Sequence, residues 1–99
     1  MARFDVHRVS GGHGFLLDVQ ADHLSALPSR IVVPLLPHSE ALPAIRDLNP
    51  LLRMADQEVV MMTHYLTAIP RRELGRAVAN LSDNGDTITR ALDLLLTGF

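Results

Sequence analysis

The sequence predicts a small domain of antiparallel β-strands that is closed by one C-terminal α-helix. Apolar and polar residues alternate at the start of the chain, which is typical of half-buried strands. From Ser82 onward the apolar residues instead recur about every 3.6 positions, as they do on one face of a helix. Because the chain has 99 residues, we expect a single domain over residues 1–99 with one hydrophobic core.

A hairpin is the first predicted element. Residues 3–9 alternate between apolar and polar side chains, and residues 15–20 return as a second strand. The connecting residues 10–14 include three glycines, which adopt positive φ without steric cost. The pattern therefore indicates two antiparallel strands joined by a glycine-rich tip.

The middle of the chain combines β-branched residues with prolines. Residues 31–33 are all β-branched and predict a strand, whose end Pro34 confines to an edge or a bulge. Further prolines follow, so we expect residues 35–50 to form a loop with one short helical turn around 41–48. Residues 51–54 and 58–63 predict two strands joined by a polar turn at 55–57, and one more short strand is expected before Pro70.

The predicted C-terminal helix carries an apolar stripe made of Ile88, Ala91, Leu92, Leu95 and Leu96. Ser82 is the expected N-cap, and Gly98 lies where a helix commonly ends. Leu94 widens the apolar face beyond what one core requires. We therefore expect a homodimer, with Leu95 and Leu96 at the interface between subunits.

Charge and composition exclude several function classes. All nine basic residues are arginines, and eleven acidic residues give a net charge of -2. With three Phe, one Tyr and no Trp, the chain lacks the basic field and stacking platforms of a nucleic-acid-binding protein. It also contains no apolar run near the roughly 18 residues of a membrane span and no secretory h-region. A cytoplasmic location is expected.

No catalytic or metal-binding motif is present in the sequence. The chain has no cysteine, and its five histidines (His7, His13, His23, His38 and His64) form no metal-ligand spacing. There is no G-x-S-x-G nucleophile motif. Residues 11–14 join two strands and lack the lysine of a phosphate loop, so they are interpreted as a hairpin tip. We expect no cofactor and no metal ion.

Several short motifs together resemble one known family. They are Asp18-Val19-Gln20 with Asp22, Val32 with Pro34-Leu35, Met61-Met62-Thr63, Pro70, Gly75, Val78-Ala79, Leu81-Ser82, Ile88, Ala91, Leu94 and Gly98. In order, spacing and total length, this combination resembles the CcdB family, the toxin half of plasmid and chromosomal toxin–antitoxin modules. The resemblance runs nearly from end to end of the chain.

The resemblance implies both a fold and a function. The implied fold is an SH3-like β-barrel of antiparallel strands capped by a C-terminal α-helix, assembled as a two-fold homodimer. The implied function is a toxin that binds the A subunit of DNA gyrase and traps the enzyme on cleaved DNA, without catalysis of its own. Its second partner would be an antitoxin with a disordered tail that folds on binding.

The resemblance also implies contact residues. Those facing gyrase would be His23, Leu24, Asp93, Leu96, Thr97, Gly98 and Phe99. The family typically has a tryptophan, which stacks on a gyrase arginine, where this chain has Thr97, and a terminal isoleucine where it has Phe99. Candidate docking positions for the antitoxin are Arg8, Gly11, Gly12, His13 and Arg46.

Two alternative functions stay open from the sequence. One is a relative with the same fold that has lost its gyrase target or exchanged it for another, which Thr97 and His23 favour. The other is a ribonuclease toxin of the MazF and Kid type, because those enzymes share this barrel. The chain lacks their N-terminal strand signature with its R-G-D-type turn, and its acidic net charge disfavours RNA binding.

Overall fold

A computed structural model describes residues 2–9, 14–40 and 44–98 of the chain. Across those residues one α-helix follows a set of short strands. The strands are β1 (Asp5–Arg8), β2 (Phe15–Asp18), β3 (Ser29–Pro37), β4 (Leu51–Met54), β5 (Gln57–Met61), β6 (Thr67–Pro70) and β7 (Ala77–Asn80), and the helix is α1 (Gly85–Thr97). The prediction of a mainly-β fold with one C-terminal helix is confirmed.

All strand pairs in the sheet are antiparallel, in the order β4-β5-β3-β2-β1-β7. Strand β6 pairs with the first half of β3, from Ser29 opposite Pro70 to Val32 opposite Thr67. The second half of β3 pairs with β5, beginning with Leu35 opposite Met61. Strand β3 is therefore shared by two neighbours on one side, and the sheet curls around it.

The predicted end of this central strand is wrong. We expected the strand to stop at Pro34 and a loop to begin at residue 35, but β3 continues to Pro37. The carbonyl of Pro34 accepts the Met62 amide over 2.9 Å, so the proline nitrogen faces the junction where β5 ends and β6 has not yet begun. A missing N–H costs no ladder hydrogen bond at that junction.

Strand β7 was not predicted from the sequence. Its residues Ala77-Val78-Ala79-Asn80 include alanine and asparagine, which have low β propensity. Pairing with β1 makes the segment a strand, with Val6 opposite Ala79 and Asp5 opposite Asn80. The Asn80 side chain also donates to the Asp5 carboxylate over 2.9 Å, which adds a side-chain bond to this pairing.

The hairpins match their predictions with shifted bounds. β1 and β2 pair as expected, while the tip residues 10–13 lie outside the described residues. The predicted turn 55–57 is one residue shorter, because Gln57 already pairs with Met54. The predicted strand 58–63 ends at Met61 and is followed by the 3-10 turn Thr63–Tyr65. Residues 41–43 are not described. In the rest of the stretch predicted as a helical turn, the Asn49 amide donates to the Ile45 carbonyl, but Asp47 has φ +67, so this turn is not helical.

Helix α1 packs its apolar stripe on the sheet. Ile88, Ala91 and Leu92 are buried in the core. We expected Ser82 to be the N-cap of α1. It is not, because the 3-10 turn Ser82–Asn84 precedes the helix. Gly98 ends it with φ +84 and donates to the last carbonyls, as predicted. None of the helical segments within the described residues is long and apolar enough to cross a membrane.

The most deeply buried charges are an ion pair between β2 and β3. Nη2 of Arg30 lies 2.6 Å from Oδ2 of Asp18, and neither side chain reaches solvent. The Nε of Arg30 donates to the same oxygen over 2.8 Å, and the second oxygen of Asp18 accepts the Gln20 amide. Removing one partner of such a pair leaves an uncompensated buried charge.

We expect the single variant Asp18→Asn to lower the free energy of unfolding by about 3–5 kcal/mol, because Arg30 keeps its charge without a counterion. The double variant Asp18→Leu, Arg30→Met is expected to recover most of that loss, since it buries no charge. Urea unfolding at one fixed protein concentration measures both. Equal destabilisation by the single and double variants would contradict this account.

Candidate functional site

A groove of about 360 Å³ lies between the C-terminal half of α1 and the chain segment after β2. Its lining is mostly apolar and comes from segments that are far apart in the sequence. The lining residues are Arg3, Val19, Gln20, Ala21, Leu24, Ile31, Leu66, Thr89, Leu92, Asp93 and Leu96. This surface is called the helix groove below.

One wall of the helix groove is the 3-10 turn Asp22–Leu24, which carries Leu24. The Asp22 carboxylate accepts the Arg3 amide over 2.7 Å. On the other side, the Gln20 side chain donates to the Leu24 carbonyl over 2.9 Å. The turn is thus attached to two separate parts of the fold, although Leu24 itself is 42% exposed.

The opposite wall is the end of α1. Leu96 is 69% exposed, and Asp93 one turn earlier is exposed as well. Thr97 is exposed, and its hydroxyl donates back to the Asp93 carbonyl over 2.7 Å. Leu95 is only half-buried. The helix therefore presents an apolar and acidic end that the rest of the described chain does not cover.

Opposite charges stand at the helix groove. The Arg3 guanidinium lies 4.6 Å from the centroid of the Phe4 ring, and its Nε donates to the Val19 carbonyl. Asp93 stands near the negative end of the helix dipole, and the last turn contains no basic residue. The groove therefore has an acidic side chain, Asp93, on its helix wall and a basic one, Arg3, on the facing wall.

The structure brings together part of the set of residues predicted to face gyrase. Leu24, Asp93 and Leu96 line the same helix groove, although they are up to 72 positions apart in the sequence. His23 is exposed on the adjoining turn, and Thr97 and Gly98 continue the helix end. Phe99 lies outside the described residues.

Of the five residues predicted to contact the antitoxin, the structure describes two, Arg8 and Arg46, which belong to different elements. Arg8 is exposed at the end of β1, with its guanidinium 5.5 Å from the centroid of the Phe15 ring. Arg46 is exposed in the turn before β4, which lies at the opposite end of the sheet order from β1. Gly11, Gly12 and His13 lie outside the described residues.

The described histidines occupy separate places in the fold. His7 is buried in β1, where its Nδ1 lies 2.8 Å from the Gly75 carbonyl. His64 lies 3.3 Å from the Asn49 side chain, and His38 lies 3.9 Å from Glu58. Within residues 2–9, 14–40 and 44–98, no three His, Asp or Glu side chains form a group that could hold a metal ion.

Sequence reasoning missed several lining residues of the helix groove. Arg3, Ile31, Leu66 and Thr89 come from elements whose packing the periodicity does not reveal. Gln20 was recognised only as part of a motif, and no role was assigned to it. A glutamine as the last residue of a predicted strand and before a turn is a usable signal, because its amide can replace the backbone bonds that the ending strand no longer provides.

The comparison with known protein families agrees with this arrangement of strands and helix. The family model described as CcdB protein matches residues 3–98. The match includes all the described strands, the terminal helix and all but one of the described residues. The chain therefore belongs to the CcdB family, the toxins of toxin–antitoxin modules.

Proposed function

We propose that this protein is a gyrase poison, which binds the A subunit of DNA gyrase and traps the enzyme on cleaved DNA. The contact surface is the helix groove together with the adjoining helix end. The observation that carries the proposal is that Leu24, Asp93 and Leu96 line one groove in a member of the CcdB family. The protein acts by occupying a surface and not by catalysis, and a gyrase target places it in the cytoplasm.

Exposed leucines support a protein partner at this surface. Of the lining leucines, Leu96 is 69% and Leu24 42% exposed. Exposed apolar side chains next to a groove are typical of interaction sites, because their burial against a partner provides binding free energy. A polar rim formed by Arg3 and Asp93 gives the contact its orientation.

The charge at the helix end supports a basic group on the partner. A carboxylate close to the C-terminal end of a helix opposes the helix dipole and slightly destabilises the helix. Asp93 occupies such a position and is exposed. A cationic side chain of the partner would relieve this repulsion and pair with the carboxylate.

A homodimer and an antitoxin complete the proposed assembly. The half-buried Leu95 and the exposed Leu96 leave apolar area at the end of α1 for a second subunit. The paired helix ends would then face the two-fold axis of a gyrase A dimer. Arg8 and Arg46 are exposed cations that suit an acidic antitoxin segment, and Gly11, Gly12 and His13 belong to the same proposed docking set.

A supercoiling and DNA cleavage assay with purified gyrase tests the proposal directly. We expect micromolar protein to inhibit supercoiling and to accumulate cleaved DNA, and its expression to arrest growth unless the antitoxin is present. Unchanged supercoiling together with normal growth would rule the proposal out. Sedimentation of the free protein measures the dimer separately.

The variant Leu96→Glu is expected to weaken gyrase inhibition by about 5- to 150-fold, the effect of removing one apolar anchor of about 1–3 kcal/mol. Because Leu96 is 69% exposed, its replacement leaves the core intact. Leu51→Glu is the matched control, since Leu51 is 49% exposed on β4. Equal inhibition by both variants would remove the helix end from the contact surface.

The variant Thr97→Trp is expected to strengthen gyrase inhibition, because an indole face offers a cation–π contact that a threonine methyl cannot. One such contact is worth about 0.5–2 kcal/mol, and a dimer makes two, so potency rises by about one to three orders of magnitude. Thr87→Trp, at an exposed position early in α1, is the control. If neither variant gains potency, the surface serves a partner other than gyrase.

A further inference from the structure

The Gln20 side chain takes the place of a strand neighbour for β3. The amide of Val19 donates to the Ile31 carbonyl over 3.0 Å, which is the last backbone bond between these segments. The next donor in that row, the Ile31 amide, has no backbone carbonyl opposite it and donates instead to Oε1 of Gln20 over 3.0 Å. The side-chain amide thus extends the ladder beyond the end of β2.

The other end of the same amide group holds the turn. Nε2 of Gln20 donates to the Leu24 carbonyl over 2.9 Å. Gln20 is only 7% exposed, so both hydrogen bonds are shielded from competing water. One side chain therefore joins the edge of β3 to the turn that presents Leu24 at the helix groove.

The main chain of Gln20 is itself fixed by the buried ion pair. Its amide donates to Oδ1 of Asp18 over 3.0 Å, while Oδ2 of Asp18 holds the Arg30 guanidinium. Gln20 therefore cannot shift far without breaking its main-chain bond to β2 and its side-chain bonds to β3 and to the turn. Both polar atoms of the Gln20 side chain have a backbone partner. This is typical of a residue that fixes the position of the segments around it.

We infer that Gln20 is a positioning residue for partner binding: its side chain fixes the 3-10 turn Asp22–Leu24 and thereby holds Leu24 at the helix groove. The role of Gln20 in positioning the turn follows from its hydrogen bonds and is independent of the proposed function. Its consequence for gyrase rests on the proposed function. Gln20 does not need to touch the partner for this role.

The test compares two amide-to-acid variants, Gln20→Glu and Asn49→Asp, at pH 8. Gln20→Glu keeps the acceptor for the Ile31 amide but places a carboxylate against the Leu24 carbonyl. Asn49 is the matched control, since it is also buried, accepts the Ile45 amide and donates to the Met61 carbonyl, away from the helix groove. The uncharged variant Gln20→Met removes both side-chain hydrogen bonds of residue 20. It replaces Gln20→Glu in the test if that variant does not fold.

Two measurements are made on variants that are folded at the assay temperature. Amide hydrogen exchange over residues 21–27 reports the turn, because the Leu24, Ser25 and Leu27 amides are bonded within it. We expect about tenfold faster exchange in the Gln20 variants, the factor for one lost hydrogen bond. Binding to purified gyrase A subunit is expected to weaken by about tenfold. Asn49→Asp changes neither quantity, even at an equal loss of thermal stability.

Each contrary result has a distinct meaning. Unchanged exchange over residues 21–27 in both Gln20 variants would overturn the positioning role. Faster exchange with undiminished gyrase binding would overturn the link between the turn and the partner. If the wild-type protein does not bind gyrase A subunit at all, the proposed function fails, and the exchange measurement still decides whether Gln20 holds the turn.

Discussion

The guanidinium of Arg30 and the carboxylate of Asp18 lie side by side with no solvent contact, where β2 ends against β3. Neither charge is tolerated in the interior without the other, so both strands have to keep their register at this point. The second oxygen of Asp18 extends this constraint to Gln20, and Gln20 extends it to the turn beside the helix groove. The geometry of the helix groove therefore depends on an ion pair that lies away from its surface and has no contact with solvent.

Local patterns were sufficient for the elements whose form is decided locally. The first hairpin and α1 were predicted because alternation and helical periodicity record which side of each element is buried. The continuation of β3 past Pro34 and the strand Ala77–Asn80 were not predicted, because both depend on pairing with neighbouring strands. Pro34 is accommodated only where one neighbouring strand gives way to another, and the alanines of β7 become a strand by pairing with β1.

The candidate site was predictable to a similar extent. Resemblance to a family pointed to Leu24, Asp93 and Leu96, and these three line one groove in the fold. Residues whose role arises from distant contacts escaped notice. Arg3 enters the site through its hydrogen bond to the Val19 carbonyl, and Gln20 enters because a strand stops beside it. Neither circumstance is visible in residue order or spacing.

The two leucines that flank the helix groove are held by the main chain. The turn carrying Leu24 is held because the Leu24 carbonyl accepts a hydrogen bond from Gln20. The helix carrying Leu96 ends at Gly98, which is left-handed and donates to backbone carbonyls of the helix. Both side chains are largely exposed and contribute little to the core. Their identities can therefore change without endangering folding, so the surface of the groove is free to vary while the backbone that presents it stays the same.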